Sequence, residues 1–295
     1  MFYKLKSWID TRNINWTTLS LNPKAIQLLE ANPRKINWYN ASFNNGAYSI
    51  LAKKPKKIVG SCLSRNENAG PLLTKYPQKI IWMVASSNPE AIYLLLDNYE
   101  KIDWHFFSEN PHPIAMDILR KNPENIDWNY LSMNVSPEAM ALCQENLNKV
   151  NWFYLSENPN AISILEKNLD KLHWDPISRN PSAIHLIEAN LDKVNLEIVS
   201  QNPGAKSLFE KYPEKLDMTK ISQNFSSWAI DILEKNPEAI DWYYFSRNPE
   251  IFEIDYDRIK ENMDILREEL MMAALHPKRI EKWLEIDPEY SLDDL

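Results

Sequence analysis

Glycine is scarce in this chain, with 4 residues against 19 prolines. Because glycine supplies the positive φ angles of tight hairpin turns, this shortage argues against a β fold rich in hairpins. It also leaves too little glycine for a phosphate-binding loop. Prolines in this number are tolerated where they begin helices, since the first helical residue needs no N–H donor.

Cysteine and histidine are also sparse. Cys62 and Cys143 are the only cysteines, too few for a disulfide framework or a zinc site built on paired cysteines. His105 and His112 do not have the spacing of four that places two ligands on one helix face. Carboxylates recur once per repeat, so no single pair is marked for acid–base chemistry. The sequence therefore predicts no metal, no cofactor and no enzymatic activity.

Excess positive charge and long apolar runs are absent as well. The net charge is −8, which gives no global attraction to nucleic acid or to an anionic membrane. No apolar stretch approaches the roughly 18 residues of a membrane helix, and the first residues lack the apolar core of a signal peptide. With 44% hydrophobic residues, we expect a soluble protein with a substantial core that is neither secreted nor bound to a membrane.

What the chain has in abundance is one repeated phrase centred on a tryptophan, called the anchor below. Successive anchors lie 22 or 24 residues apart, the signature of a repeat architecture. The anchor positions are Trp16, Trp38, Gly60, Trp82, Trp104, Trp128, Trp152, Trp174, Leu196, Met218 and Trp242.

Fixed residue types surround each anchor. Position −2 is aliphatic, +3 is apolar, +4 is always serine and +6 is always asparagine. Proline follows this asparagine in seven units, which is typical of a helix N-cap with proline at the first helical residue. A short first helix follows, and a second Asn-Pro or its relative leads into a second helix whose apolar stripe includes the anchor. Helices this short are marginal alone, so they must stack.

The sequence therefore predicts an all-α fold, an α-solenoid of about eleven two-helix repeats of 22–24 residues. We expect the asparagines to form a file along the stack, each capping a first helix, with the serines beside them closing the second helices. Layers of about 8–10 Å would give an extended array on the order of 100 Å long. The predicted domains are an N-terminal cap at 1–15, the repeat array at 16–249, and a C-terminal helical cap with an acidic tail at 250–295.

A leucine-rich repeat is the main alternative, because its period and its Leu-x-x-Asn motif resemble the phrase Leu-Ser-x-Asn. That fold needs an apolar residue at +1, where this chain has Thr17, Asp175 and Glu197. It also tolerates proline poorly after the asparagine, so the α-solenoid is preferred.

Variable positions are where a solenoid usually recognises its partner. Positions +1 and +5 carry aromatic and charged residues that we interpret as candidates for protein binding, although they are equally explained as unconstrained solvent positions. These candidates are Tyr39, His105, Phe153 and Tyr243 at +1, and Arg65, Glu109, Glu157, Arg179 and Arg247 at +5.

A row of lysines occupies position −3. One interpretation pairs each lysine with the glutamate at +14 of the preceding helix, as for Glu30 and Lys35, because a cation near a helix start needs compensation. The other is a row that tracks phosphates, as in helical-repeat RNA-binding proteins. The lysines are Lys35, Lys57, Lys79, Lys101, Lys149, Lys171, Lys193 and Lys215.

The phrase LSxNPxAIxLLExNPxKIDW, clearest at 19–38 and 155–174, resembles short tandem repeats in proteins of giant nucleocytoplasmic large DNA viruses. The opening MFYKLKSWID and the segment 275–285 are similar to the ends of such proteins. The resemblance covers nearly the whole chain and implies a viral protein of the host cytoplasm or the virion, but it brings no site residues. We therefore expect a non-enzymatic scaffold that binds a host or viral protein, with RNA binding through the lysines or a structural role in the virion as alternatives.

Overall fold

The structure is a computed structural model that describes residues 2–276 and 279. The predicted all-α class is confirmed, because helices dominate the described residues. The α-helices are Trp16–Leu19, Ile26–Ala31, Trp38–Phe43, Tyr48–Lys53, Gly60–Arg65, Gly70–Lys75, Trp82–Ala85, Ile92–Leu96, Trp104–Ser108, Pro113–Lys121, Trp128–Met133, Pro137–Glu145, Trp152–Glu157, Ile162–Leu165, Trp174–Arg179, Ile184–Glu188, Leu196–Ser200, Lys206–Lys211, Ser227–Lys235, Trp242–Phe245 and Tyr256–Ala274.

Short 3₁₀-helices and one pair of strands complete the described secondary structure. The 3₁₀-helices are Pro33–Lys35, Pro55–Lys57, Pro77–Lys79, Pro89–Ala91, Tyr99–Lys101, Pro123–Asn125, Pro159–Ala161, Leu169–Lys171, Pro181–Ala183, Pro213–Lys215, Ile221–Gln223, Pro237–Ala239 and Pro249–Ile251. The strands Tyr3–Leu5 and Phe252–Ile254 pair in a two-stranded sheet. Many of the 3₁₀-helices begin with proline, which has no N–H to satisfy.

The chain divides into two compact units, Lys6–Phe252, and Met1–Leu5 together with Glu253–Leu295. The second of these contains the longest described helix, Tyr256–Ala274, which Asp255 caps by accepting a hydrogen bond from the N–H of Arg258. A capping role for this region stays a prediction. Trp283 and the acidic end of the sequence lie outside the described residues.

Within Lys6–Phe252, the second helices begin at the anchor in every unit except that of Met218, and most are capped from position −1. Asp103 illustrates the cap, because its carboxylate accepts hydrogen bonds from the N–H groups of His105 and Phe106. Asparagine or aspartate plays the same part in most units, as expected of an N-cap.

The asparagine at +6 joins each unit to the one before it, and the predicted file of asparagines is confirmed. In Asn110, Oδ1 accepts from His112 N, while Nδ2 donates to the carbonyls of Ser86 and Asn88 in the preceding unit. His112 itself caps the helix that follows, so the prediction that each asparagine caps a first helix is wrong here; it holds where a 3₁₀-helix follows directly, as after Asn88. The same pair of bonds to the preceding unit is made by Asn44, Asn66, Asn88, Asn134, Asn158, Asn180, Asn202 and Asn224, and Asn248 makes one of the two, to Asn224.

The serine at +4 forms a second link between units. Ser108 Oγ donates to the carbonyl of Trp104, four residues earlier, and accepts from the N–H of Asp127 in the next unit at 2.9 Å. The predicted role of serine, to close the second helix and share a bond with the next turn, is therefore confirmed. A hydroxyl meets this need because it both donates and accepts.

The centre of the core is position +3, with the serines and asparagines buried beside it. Phe107, Leu131 and Phe245 are fully buried at +3. The tryptophans at the anchor are only half-buried, so the expectation that they complete the core stripe is wrong in this respect. The fully buried layer thus consists of an apolar residue at +3 and two hydrogen-bonded polar residues, at +4 and +6.

The first and last units of Lys6–Phe252 are hydrogen-bonded to each other. Asn22 Nδ2 donates to the carbonyls of Ser246 and Asn248, at 3.3 and 2.8 Å, and Asn15 N donates to Ser246 Oγ at 2.9 Å. Lys24 Nζ also lies 2.9 Å from Glu250 Oε1. The two ends of this unit are therefore in contact, which the expected extended array does not include.

Candidate interaction surface

Positions +1 and +5 lie on one face of each second helix, opposite the buried position +3. They share a face because residues four apart are neighbours on a helix. In the helix Trp152–Glu157, Phe153 and Glu157 are exposed while Leu155 is fully buried. The two rows that the sequence singles out therefore belong to one surface, called the variable face below.

The candidate residues at +1 are all exposed, and several contact the next unit or their own helix. Tyr243 packs edge-on against Tyr244, with ring centroids 5.2 Å apart, and Phe153 packs against His173 of the following unit at 5.6 Å. Tyr39 is the most exposed of the aromatic residues at +1, with 62% of its surface accessible. The row is thus a set of solvent-facing rings spread over the units.

His105 forms a hydrogen bond with an aspartate of the next unit. Its Nδ1 lies 2.6 Å from Asp127 Oδ2, and this hydrogen bond raises the pKa of His105. Asp127 also caps its own helix through the N–H of Asn129. One carboxylate therefore fixes both the helix start and the neighbouring ring.

Residues at +5 and +7 from several units converge on shared cavities. One cavity of about 470 Å³ brings together residues of the last two and the first three units, and a neighbouring one of about 290 Å³ lies along the second to sixth units. Arg65 lines both; Arg247 lines the first, and Glu109 the second. Glu157 lines a third cavity with Tyr154. Arg179 is exposed on the same face.

Glu109 is half-buried at the wall of its cavity. Burial raises its pKa, and the positive charge of Arg65 opposes this in part. The folded state therefore holds the Glu109 proton more tightly than the unfolded state does. Its contribution to stability is fully present below the unfolded pKa and is lost as pH rises through the folded pKa.

Glu109→Gln is accordingly expected to raise the free energy of unfolding at pH 7 and to flatten its fall between acidic and neutral pH. Urea unfolding at a series of pH values measures both effects. The exposed Glu157→Gln variant, in the same row, is the matched control and should leave the profile unchanged. A Glu109→Gln profile that coincides with the wild type would contradict the assigned burial effect.

The lysines at −3 have a partner that the sequence interpretation missed. Their ammonium groups lie over the anchor tryptophan of the preceding unit, with Nζ 4.2 Å from the ring centroid for Lys35 over Trp16. Glu30, the expected partner of Lys35, instead binds Lys53 of the next first helix at 2.8 Å. The four lysines stacked in this way are Lys35, Lys101, Lys149 and Lys193.

The other lysines of the row differ because their surroundings differ. Lys79 follows a unit with glycine at the anchor, and its Nζ donates to the carbonyl of Ile58 at 2.9 Å. Lys171 lies 3.5 Å from Asp170. Lys57 and Lys215 complete the row, and Lys215 follows a unit whose anchor is Leu196. A spacing of 19 or 21 between a tryptophan and the next lysine was the available sequence signal, although Lys57 and Lys171 share it without stacking.

Lys149→Met is expected to lower the free energy of unfolding by about 0.5–1 kcal/mol, since the cation over Trp128 is lost while the methylene stem is kept. Lys215→Met, which has no tryptophan anchor before it, should change stability little. Chemical denaturation of both variants tests this. Equal small changes in the two would argue against a stabilising role for the stacked cation.

The described residues offer little for metal or thiol chemistry. Among them no group of three or more histidine, cysteine, aspartate or glutamate side chains is placed to hold a metal ion. Cys62 and Cys143 are free and buried, and burial raises the pKa of the Cys143 thiol to about 12. Both cysteines therefore serve packing.

Comparison with protein-family models, with curated proteins and with solved structures finds no match to this chain. Over the part of the chain that the structure describes, no helix has the length and apolarity to cross a membrane. The function must therefore be argued from the variable face itself.

Proposed function

We propose that Lys6–Phe252 is a closed ring of eleven two-helix units, and that the protein is a non-enzymatic scaffold whose variable face binds another protein. The observation that carries this proposal is the hydrogen bonding of Asn22 to the carbonyls of Ser246 and Asn248. The same two hydrogen bonds, from an asparagine to a serine and an asparagine carbonyl, join neighbouring units elsewhere. A stack that returns to its start after eleven equal steps turns by about 33° per unit, one full turn divided by eleven.

The closure is reinforced by the residues that precede the first anchor. Lys6 N donates to the carbonyl of Ile251 at 3.0 Å, and the ring of Trp8 packs 5.8 Å from that of Phe245. Ile9 is buried. These residues lie beside Trp242–Phe245, the second helix of the last unit. In the other units the first helix of the repeat occupies this place. We infer that the last unit is completed by the start of the chain.

The variable face has the composition of a protein-binding surface. Exposed aromatic rings and arginines are enriched at interfaces, where they contribute most of the binding energy. Tyr39, Phe153 and Tyr243 supply the rings, and Arg65 and Arg247 the guanidinium groups. In a ring this face lines the opening, because the second helices pack closely on one another from unit to unit.

The proposal is tested by comparing two sets of variants in affinity capture from extracts treated with nuclease. Tyr39→Ala, Phe153→Ala and Tyr243→Ala together should abolish capture of a specific partner. The matched control replaces the exposed tyrosines of the first helices, Tyr48 and Tyr93, by alanine and should leave capture intact. Equal capture by both sets, with folding intact, would overturn the proposal.

RNA binding through the lysine row is less well supported, because four of these ammonium groups are stacked on tryptophans. It stays a prediction, which retention on a polyanion column with steep salt dependence would support. An origin in a giant virus, and a location in the host cytoplasm or the virion, likewise stay predictions that rest on the repeat phrase. Proteomics of purified particles would test whether the chain is a virion component.

A further inference from the structure

Arg247 is held by aromatic rings, and its guanidinium has no acceptor among the described residues. Its guanidinium carbon lies 4.8 Å from the ring centroid of Phe225 and 5.8 Å from that of Tyr244. Its Nε is buried and has no hydrogen-bond partner among the described residues. Arg247 also forms none of the ion pairs found in the described part of the chain.

Arg247 lines the cavity of about 470 Å³ at the point where the first and last units meet. The other lining residues are Leu21, Pro23, Phe43, Asn45, Arg65, Glu67, Phe225 and Pro249. Two guanidinium groups therefore face one carboxylate, that of Glu67. Arg65 is also compensated by the charge of Glu109, whereas Arg247 faces no second acid in this cavity.

This arrangement suits a carboxylate. A guanidinium stacked on rings keeps its edge free, and that edge presents parallel N–H donors which match the two oxygens of a carboxylate. Stacking also fixes the side chain in advance, so less conformational entropy is lost when the anion binds.

The remaining walls define the rest of the ligand. Leu21, Phe43 and Phe225 are apolar, and both phenylalanines are exposed to the cavity side of the variable face. A ligand that fills this space places an aliphatic or aromatic group next to its carboxylate. Two charges of one sign and one of the other also favour a single negative charge over a polyanion.

We propose that this cavity binds a segment of the partner protein that presents a carboxylate beside an apolar side chain, with Arg247 as the bidentate donor. The inference rests on the proposed function, since the cavity is part of the variable face. Two sources share this chemistry, an aspartate or glutamate within the segment and a free carboxyl terminus.

Selection of displayed random octapeptides on the immobilised full-length chain tests the inference, with one library carrying blocked carboxyl ends and one carrying free ends. Enrichment of Asp or Glu beside an apolar residue in the blocked library supports the side-chain source. Enrichment of apolar residues at the last position in the free library alone supports the terminal source. Enrichment of neutral or basic peptides in both would overturn the proposal.

Variants of the chain then assign the contact. Arg247→Gln is expected to weaken the best peptide about tenfold to a hundredfold, the effect of losing hydrogen bonds to a charged group. Arg34→Gln, which replaces an exposed arginine of the 3₁₀-helix Pro33–Lys35 outside the variable face, is the matched control and should change binding less than twofold. Thermal unfolding of both variants verifies that the fold is intact.

Failure of this inference is distinguishable from failure of the proposed function. Peptide binding that is indifferent to Arg247→Gln overturns the assigned cavity. The proposed function still stands in that case if the Tyr39, Phe153 and Tyr243 replacements abolish partner capture. If capture ignores those replacements, the proposed function fails as well.

Discussion

Asn110→Ala is expected to lower the free energy of unfolding by about 2–4 kcal/mol, since each buried group left unsatisfied costs about 1–3 kcal/mol. The side chain of Asn110 is fully buried and makes three hydrogen bonds. Alanine removes two donors from the carbonyls of Ser86 and Asn88 and one acceptor from the N–H of His112. The unit boundary therefore loses the bond to the N–H of His112 and both bonds to the preceding unit together.

Urea unfolding measures this loss of stability. Two further variants serve as comparisons, one at an exposed asparagine and one where the two ends meet. Asn68→Ala removes one exposed hydrogen bond, to the carbonyl of Asn45, and should cost under about 1 kcal/mol. Asn22→Ala should cost about as much as Asn110→Ala, because its partners are equally buried at the meeting of the two ends. An Asn22→Ala variant as stable as the wild type would contradict closure.

Gly60→Ala is expected to destabilise the protein by about 1–3 kcal/mol, the usual cost of overpacking. A Cβ at this position would clash with the carbonyl oxygen of Lys79, so the backbone would have to move. Glycine is needed here for space, since no described residue has a positive φ angle. The repeat pattern alone suggests the opposite, that a side chain restored at this anchor would help.

Gly70→Ala is the matched control for Gly60→Ala. It also begins a short helix, but its Cβ would meet the end of the Glu90 side chain, which can rotate away. We expect it to be neutral, or to stabilise by up to about 1 kcal/mol by restricting the unfolded chain. Thermal or urea unfolding of the two variants decides the matter, and a Gly60→Ala protein as stable as Gly70→Ala would contradict the close contact.

The local chemistry of this protein could be predicted from its sequence. Ser108 and Asn110 recur at fixed positions because each makes bonds that only its side chain can make at that distance from the helix ends. Recurrence within one chain therefore predicts the serine link between units directly, whereas the bonds from asparagine to the preceding unit were not predicted. The shared face of Phe153 and Glu157 likewise follows from helical spacing.

The contact between the ends could not be predicted in the same way. It depends on a small rotation between neighbouring units, and a few degrees of error at each step separate the ends by many ångströms after eleven steps. The same holds for the stacking of Lys35 on Trp16, which needs the second helix of one unit beside the turn of the next. The cavity that Arg65 and Arg247 both line depends on the contact between the ends and on the placement of neighbouring units, so it could not be predicted either.

The distance between the first and last units tests closure most directly. Lys24→Cys and Glu250→Cys introduce two spin-label sites at side chains that are 2.9 Å apart, while the native Cys62 and Cys143 are buried. Pulsed electron paramagnetic resonance on the folded full-length chain should give a narrow distribution below about 20 Å, two helix-packing distances. A distance of about 80–100 Å, the length of ten stacked layers, would contradict the ring.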